Sequence, residues 1–174
     1  VSQPPHRSGL PADDFDGDGS ADRLFGFEHK PAELYRATGG GAFAVVAVPG
    51  FTFEDTAGLA VADFDGNGSP GVYFTQHTLD LLYLNQAGAF VPAGALPAST
   101  ATRSTAVAAG DVDLDGDVDV AVACRPFLSL SGQNLLLLNQ GGSFVDATAA
   151  FPAGHHETRG VLLRGPGVGR RPDV

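Results

Sequence analysis

Aspartates on alternate residues, closed by a glycine, recur three times in this chain. The stretches read D-F-D-G-D-G-S-A-D from Asp14 to Asp22, D-F-D-G-N-G-S-P-G from Asp63 to Gly71, and D-V-D-L-D-G-D-V-D from Asp111 to Asp119. Positions one, three and five carry short oxygen side chains. Position six is Gly each time (Gly19, Gly68, Gly116), where the chain must turn sharply. Position nine returns a carboxylate in the first and third stretches only. Hard oxygens gathered on a tight turn suit Ca²⁺, which accepts about 6–8 oxygen ligands in loose geometry, better than Mg²⁺, which is stricter. The loops hold no soft ligand, so zinc and copper are disfavoured. Solvated acidic turns are the alternative, since Asp and Gly are turn residues in any case. Three stretches in one register argue against it.

An EF-hand needs a bidentate Glu at its twelfth position, between two helices. The twelfth positions here are Phe25, Phe74 and Val122. Short apolar segments flank each loop instead: Arg23 to Phe27, Val72 to Thr75 and Val118 to Cys124 after the loops, Gly58 to Ala62 and Thr105 to Ala109 before the later two. Each loop is therefore expected to join two buried strands. A further apolar segment follows (Leu34 to Arg36, Leu81 to Asn85, Leu135 to Asn139), then a glycine turn and a segment opened by Phe43, Phe90 or Phe144.

The loop starts lie 49 and then 48 residues apart. The phenylalanines are spaced by 47 and then 54, because the third unit carries extra residues around Pro126 to Gln133. Gly160 to Leu163 parallels Gly58 to Val61, which puts a fourth loop near Gly165. Its acids are replaced by glycines up to Asp173, so it is expected to bind no metal. Four short strands per unit of this length is a β-propeller period. The expected fold is all-β: about three and a half four-stranded blades of a larger propeller over residues 13–174, after an N-terminal extension at 1–12.

The loop motif followed by L-Y-L-N-Q-A-G-A-F (Leu82 to Phe90) resembles the FG-GAP/VCBS repeat, the integrin-α-like calcium-binding propeller unit. The resemblance runs from about Asp14 to Val174. It implies one Ca²⁺ per intact loop. Loop one would use Asp14, Asp16, Asp18 and Asp22 with the Ser20 carbonyl. Loop three would use Asp111, Asp113, Asp115 and Asp119 with the Asp117 carbonyl. Loop two would use Asp63, Asp65, Asn67 and the Ser69 carbonyl, but Gly71 replaces the ninth acid. Two strong sites and one weaker site follow. Asp80 lies outside the loops, and its replacement is expected to leave the calcium response intact.

The net charge is −10, and ten of the twenty acids are the loop carboxylates just named. Three Ca²⁺ would offset most of the imbalance. No basic stripe could neutralise phosphates, so nucleic acid is not an expected partner. No apolar run reaches the length of a membrane span. The chain starts at Val1 and reads as a processed form or a fragment. Calcium sites of this kind stay filled at millimolar calcium, which points to the cell surface, the periplasm or the extracellular space. The lone Cys124 is read as a buried thiol rather than an intermolecular disulfide.

No H-E-x-x-H and no G-x-S-x-G motif occurs among His6, His29, His77, His155 and His156 or elsewhere. His155, His156 and Glu157 could hold a transition metal but read more simply as a solvated loop. Two function classes stay open. One is a non-catalytic, calcium-stabilised binding or scaffold module for a protein or glycan ligand. The other is an accessory or catalytic-propeller segment of a secreted hydrolase or redox enzyme. The missing nucleophile and acid–base motifs favour the first. Three and a half blades leave faces uncovered, so further blades are expected from the same chain, a second copy or another subunit.

Overall fold

The structure is a computed structural model that describes residues 7–8, 12–52, 55–97, 103–126, 132–152, 154 and 158–163. These form three antiparallel sheets and a single 3-10 turn at Thr148–Ala150, with no α-helix among the described residues. The second sheet is the simplest. β6 (Gly58–Ala62), β7 (Gly71–Thr75), β8 (Leu81–Gln86) and β9 (Ala89–Pro92) pair in chain order. The third sheet repeats it with β10 (Arg103–Gly110), β11 (Asp119–Arg125), β12 (Leu135–Gln140) and β13 (Ser143–Asp146). In the first, β3 (Asp22–Phe27), β4 (Glu33–Gly39) and β5 (Ala42–Val46) follow two short strands, β1 (Arg7–Ser8) and β2 (Ala12–Asp13). Both short strands pair with β3, at Phe27 and Gly26 and at Arg23 and Asp22 respectively. Together they stand where β6 and β10 stand in the other sheets. Blade one thus draws its inner strand partly from the stretch expected to be an extension.

Each aspartate loop joins the first and second strands of its blade. The register closes directly on the loop: Asp13 faces Asp22, Ala62 faces Gly71, and Gly110 faces Asp119. The loop ends are therefore clamped by a strand pair, which leaves the loop little room to spread.

The second strands of blades two and three, β7 and β11, are buried on both faces, whereas β3 leaves Arg23 and Phe25 half-buried on one. Every residue of β7 is buried. Its Val72 and Phe74 point to a core shared with blade one, built from Phe15, Leu24, Leu34, Phe51, Tyr83 and Phe90. Tyr73, between them, points to a core shared with blade three, with Phe64, Leu82, Val120, Val122, Leu135 and Leu137. Full burial of such a side chain is worth about 1.5–3 kcal/mol, so these two seams hold the sheets together. Phe51 lies at the first seam with its ring 5.1 Å from Phe74 and 5.0 Å from Tyr83, both edge-on. Cys124 is fully buried at the second seam.

Beyond blade three the chain passes alongside once more. The Thr158 N–H donates to the Cys124 carbonyl at 3.2 Å, as the Thr56 N–H donates to the Phe27 carbonyl at 2.9 Å two repeats earlier. The described residues assign no strand to Gly160 to Leu163. The fourth loop, and His155, His156 and Glu157, lie outside the described residues.

Candidate metal loops at the blade seams

In loop one, Asp14, Asp16 and Asp18 each offer a carboxylate oxygen within 4.8 Å of the other two. Asp111, Asp113 and Asp115 do the same in loop three. Two oxygens bound to one Ca²⁺ at about 2.3–2.6 Å lie no more than about 5 Å apart. The spacing and the all-oxygen donor set fit that ion.

The loop backbone wraps the first aspartate. Asp14 accepts N–H bonds from Gly17 (2.8 Å), Asp18 (3.1 Å) and Gly19 (2.8 Å). Asp111 accepts from Leu114 at 2.7 Å and Gly116 at 3.2 Å. Asp63 accepts from Asn67 and Gly68. Such wrapping needs left-handed backbone at position six, where φ is 88° at Gly19, 85° at Gly68 and 99° at Gly116. Position four is left-handed as well. Loops one and two place glycine there, but loop three places Leu114 at φ 67°.

Position nine is buried, whereas the carboxylates of the clusters are half-buried or exposed. Asp22 is 1% exposed and accepts from the Phe15 N–H at 3.3 Å and the Ala37 N–H at 2.8 Å. Asp119 is fully buried and accepts from Val112 and Asn139, both at 2.8 Å. Each ties its loop to the third strand of the same blade. Ser20 and Asp117, at position seven, donate their N–H groups to Asp18 and Asp115 at 2.7 and 2.9 Å. The Asp117 carboxylate accepts from Gly141.

Loop two differs in kind. The Asn67 side-chain N–H donates to Asp65 at 3.1 Å, and Gln86 donates to the same oxygen at 3.1 Å. The Ser69 N–H donates to the Asn67 side-chain Oδ1 at 2.7 Å. An amide thus satisfies within the loop an oxygen that a third carboxylate would repel. Gly71, at position nine, has no room for a side chain: a Cβ there would lie 2.8 Å from the Tyr83 carbonyl oxygen.

Electrostatics separate the loops from the interior. The Asp113 carboxyl is held above the usual carboxylate range by desolvation first, then by the charges of Asp115, Asp119 and Asp111, while the Asp115 N–H pulls the other way. Loop three thus concentrates negative charge that a divalent cation would relieve.

Asp80, outside the loops, is buried at the seam between blades two and three. It is 2% exposed and accepts bonds from Tyr73 (3.0 Å), the Gln76 N–H (2.9 Å) and, across the seam, Ser104 (3.0 Å). Burial pushes its carboxyl up to about 6, against those three donors. Burial and then the charge of Asp80 hold the Tyr73 phenol well above its ordinary value. An acid after a turn and before an apolar strand carries no sequence mark of such burial. His77, in the same turn, is lowered by burial and then by Arg103.

Two asparagines also escaped assignment from sequence. The Asn85 side chain donates to the Phe15 carbonyl at 2.9 Å, and Asn139 donates to the Phe64 carbonyl at 2.8 Å. Their recurrence in L-Y-L-N-Q and L-L-L-N-Q was the available signal.

The family model for FG-GAP-like repeats matches residues 14–74 and 72–122. Among solved structures the chain is similar to a lectin from Agrocybe aegerita described as recognising non-reducing terminal N-acetylglucosamine. The identity is 23% and the TM-score 0.51, over 79% of this chain and 36% of that one. This likeness is one of fold, and the chain spans about a third of that lectin's length. No curated protein matches.

Proposed function

The chain belongs to the FG-GAP-like repeat family, and from that premise we propose that it is a calcium-stabilised, non-catalytic β-propeller module that binds a protein or glycan outside the cytoplasm. The observation that carries the reading is the pair of three-carboxylate clusters, Asp14/Asp16/Asp18 and Asp111/Asp113/Asp115, each built on a loop that joins two buried strands. Loops one and three would hold Ca²⁺ tightly and loop two more weakly. Asp22 and Asp119, with the Ser20 and Asp117 carbonyls, complete the proposed donor sets, and Asp63, Asp65, Asn67 and the Ser69 carbonyl form the weaker one. The bound ion supplies positive charge that lets the carboxylates crowd together. The chain's own part is to fix the first aspartate by backbone N–H bonds and to bury the ninth.

The three sheets act here as blades of a larger propeller, completed by further blades of the same protein, a second copy or another subunit. The lectin likeness supports glycan as one class of ligand, on the strength of a shared fold alone. The test is binding to immobilised glycans, including chains ending in N-acetylglucosamine, and to candidate surface proteins, with calcium and with chelator. Calcium-dependent capture of either class is the expected result. Melting curves and binding that are indifferent to chelator would overturn the reading.

A further inference from the structure

We infer that Asn85 and Asn139 are positioning residues for the metal loops of the preceding blades, so that calcium affinity in loops one and two is set across the seam. This rests on the calcium reading above. It goes beyond that reading by naming residues outside the ligand sets.

The Asn85 side chain holds two groups at once, and that of Asn139 three, since its Nδ2 also donates to the Val118 carbonyl of its own blade at 3.2 Å. The Asn85 Nδ2 donates to the carbonyl of Phe15, which lies between the proposed ligands Asp14 and Asp16. Its Oδ1 accepts the Gly88 N–H at 2.7 Å. Gly88 in turn lies against loop one: a Cβ added there would be 3.8 Å from the Asp16 Cα and Cβ. One blade later the pattern recurs. Asn139 donates to the Phe64 carbonyl and accepts the Gly142 N–H at 2.8 Å, and a Cβ on Gly142 would lie 3.9 Å from the Asp65 Cβ. The side chain of each position-two residue is fixed as well. Phe15 and Phe64 are each 1% exposed, and their rings pack against Phe90 (5.7 Å) and Phe144 (6.2 Å) of the following blade.

The peptide between two ligand positions is thus gripped from the next blade by a ring contact and a buried amide. Both asparagines are 1% exposed, so neither bond competes with water. Partners that orient ligands without touching the ion typically change metal affinity about 10–100-fold when removed. Loop three stands outside this arrangement. Its position-two residue, Val112, is 38% exposed, and among the described residues no side chain donates to its carbonyl. Blade one carries Ala37 at the place of Asn85 and Asn139, so it has no such donor to offer a preceding loop.

The test is a calcium titration followed at the amide NMR signals of Gly19, Gly68 and Gly116, which report the three loops separately. Asn85→Ala should weaken the Gly19 transition at least about tenfold and leave the Gly116 midpoint in place. Asn139→Ala should do the same to Gly68 and leave Gly19 in place; Gly116 is no control for this variant, because the Asn139 amide also donates to the Val118 carbonyl of loop three at 3.2 Å. Asn85→Leu and Asn139→Leu, which keep the buried volume, cover the case in which the alanine variants do not fold. A uniform shift of all three signals, or no shift, would overturn the inference while the calcium reading stands. A wild-type protein with no calcium response at any of the three would overturn both.

Discussion

The Ser104 hydroxyl of blade three donates to the Asp80 carboxylate of blade two across 3.0 Å of buried seam. That carboxylate is raised to about 6 by burial, against an ordinary value of 3.8. Between those two pH values the unfolded chain has released a proton that the folded chain still holds. The contribution of this group is therefore full below about pH 4, falls as pH rises to about 6, and is flat above. The difference is on the order of 3 kcal/mol, or about 5–10 °C in a domain of this size. The melting temperature of the wild type minus that of Asp80→Asn should rise by roughly two-thirds of this between pH 7 and pH 4.5. Parallel profiles would show that Asp80 stays ionised throughout.

Calcium should raise the melting temperature. Ligand at a hundredfold excess over its dissociation constant adds about 2.7 kcal/mol per site. Asp113→Ala should remove the loop-three share of that gain. Calorimetry should find two tight sites and one weaker site. Three equal sites would mean that the amide of Asn67 and the missing ninth acid cost nothing.

Restoring the family pattern in loop two should fail. Gly71→Asp would put a Cβ 2.8 Å from the Tyr83 carbonyl oxygen, and overpacking of that kind costs about 1–3 kcal/mol. The expected variant melts lower and gains no tight site. A third tight calcium site in its titration would refute the steric argument.

Leu114 should be replaceable by glycine with profit. A left-handed residue other than glycine is strained by about 1–2 kcal/mol, and glycine gives back about 0.5–1 kcal/mol through its freer unfolded chain. Leu114→Gly should therefore stabilise by up to about 1 kcal/mol in denaturant melts, whereas Gly66→Leu, at φ 70°, should destabilise. A marked loss of stability in Leu114→Gly would mean that its exposed side chain has a partner in solution.

Apolar side chains on blades one and three stay uncovered: Phe43 is 43% exposed and Val45 58%, with Val112 and Leu114 at the other end. Exposed groups of this kind favour docking. Light scattering on the 174-residue chain should report self-association at micromolar concentration. A monodisperse, cooperatively melting monomer would show that three sheets with two seams suffice.

The repeat, the all-β class and the placing of each loop between the first two strands of a blade were legible in the sequence, because each has a local cause. Aspartates on alternate residues followed by glycine favour a turn, and short apolar runs such as Val72 to Thr75 or Leu135 to Leu138, bounded by such turns, favour buried strand. The departure of loop two from its siblings was visible for the same reason, in Asn67 and Gly71 themselves. What the tertiary structure decided are the relations across a seam. Asp80 looked like any surface acid until the sheet beside it supplied Ser104 and removed water. Asn85 and Asn139 were repeated letters until the next blade's packing brought them to carbonyls 70 and 75 residues away. Gly71 read as a lost ligand, whereas the closeness of β8 makes it the residue that the backbone there requires. Local spacing determines what a segment can be. Burial, and the partners it brings, depend on residues that no window of the sequence contains.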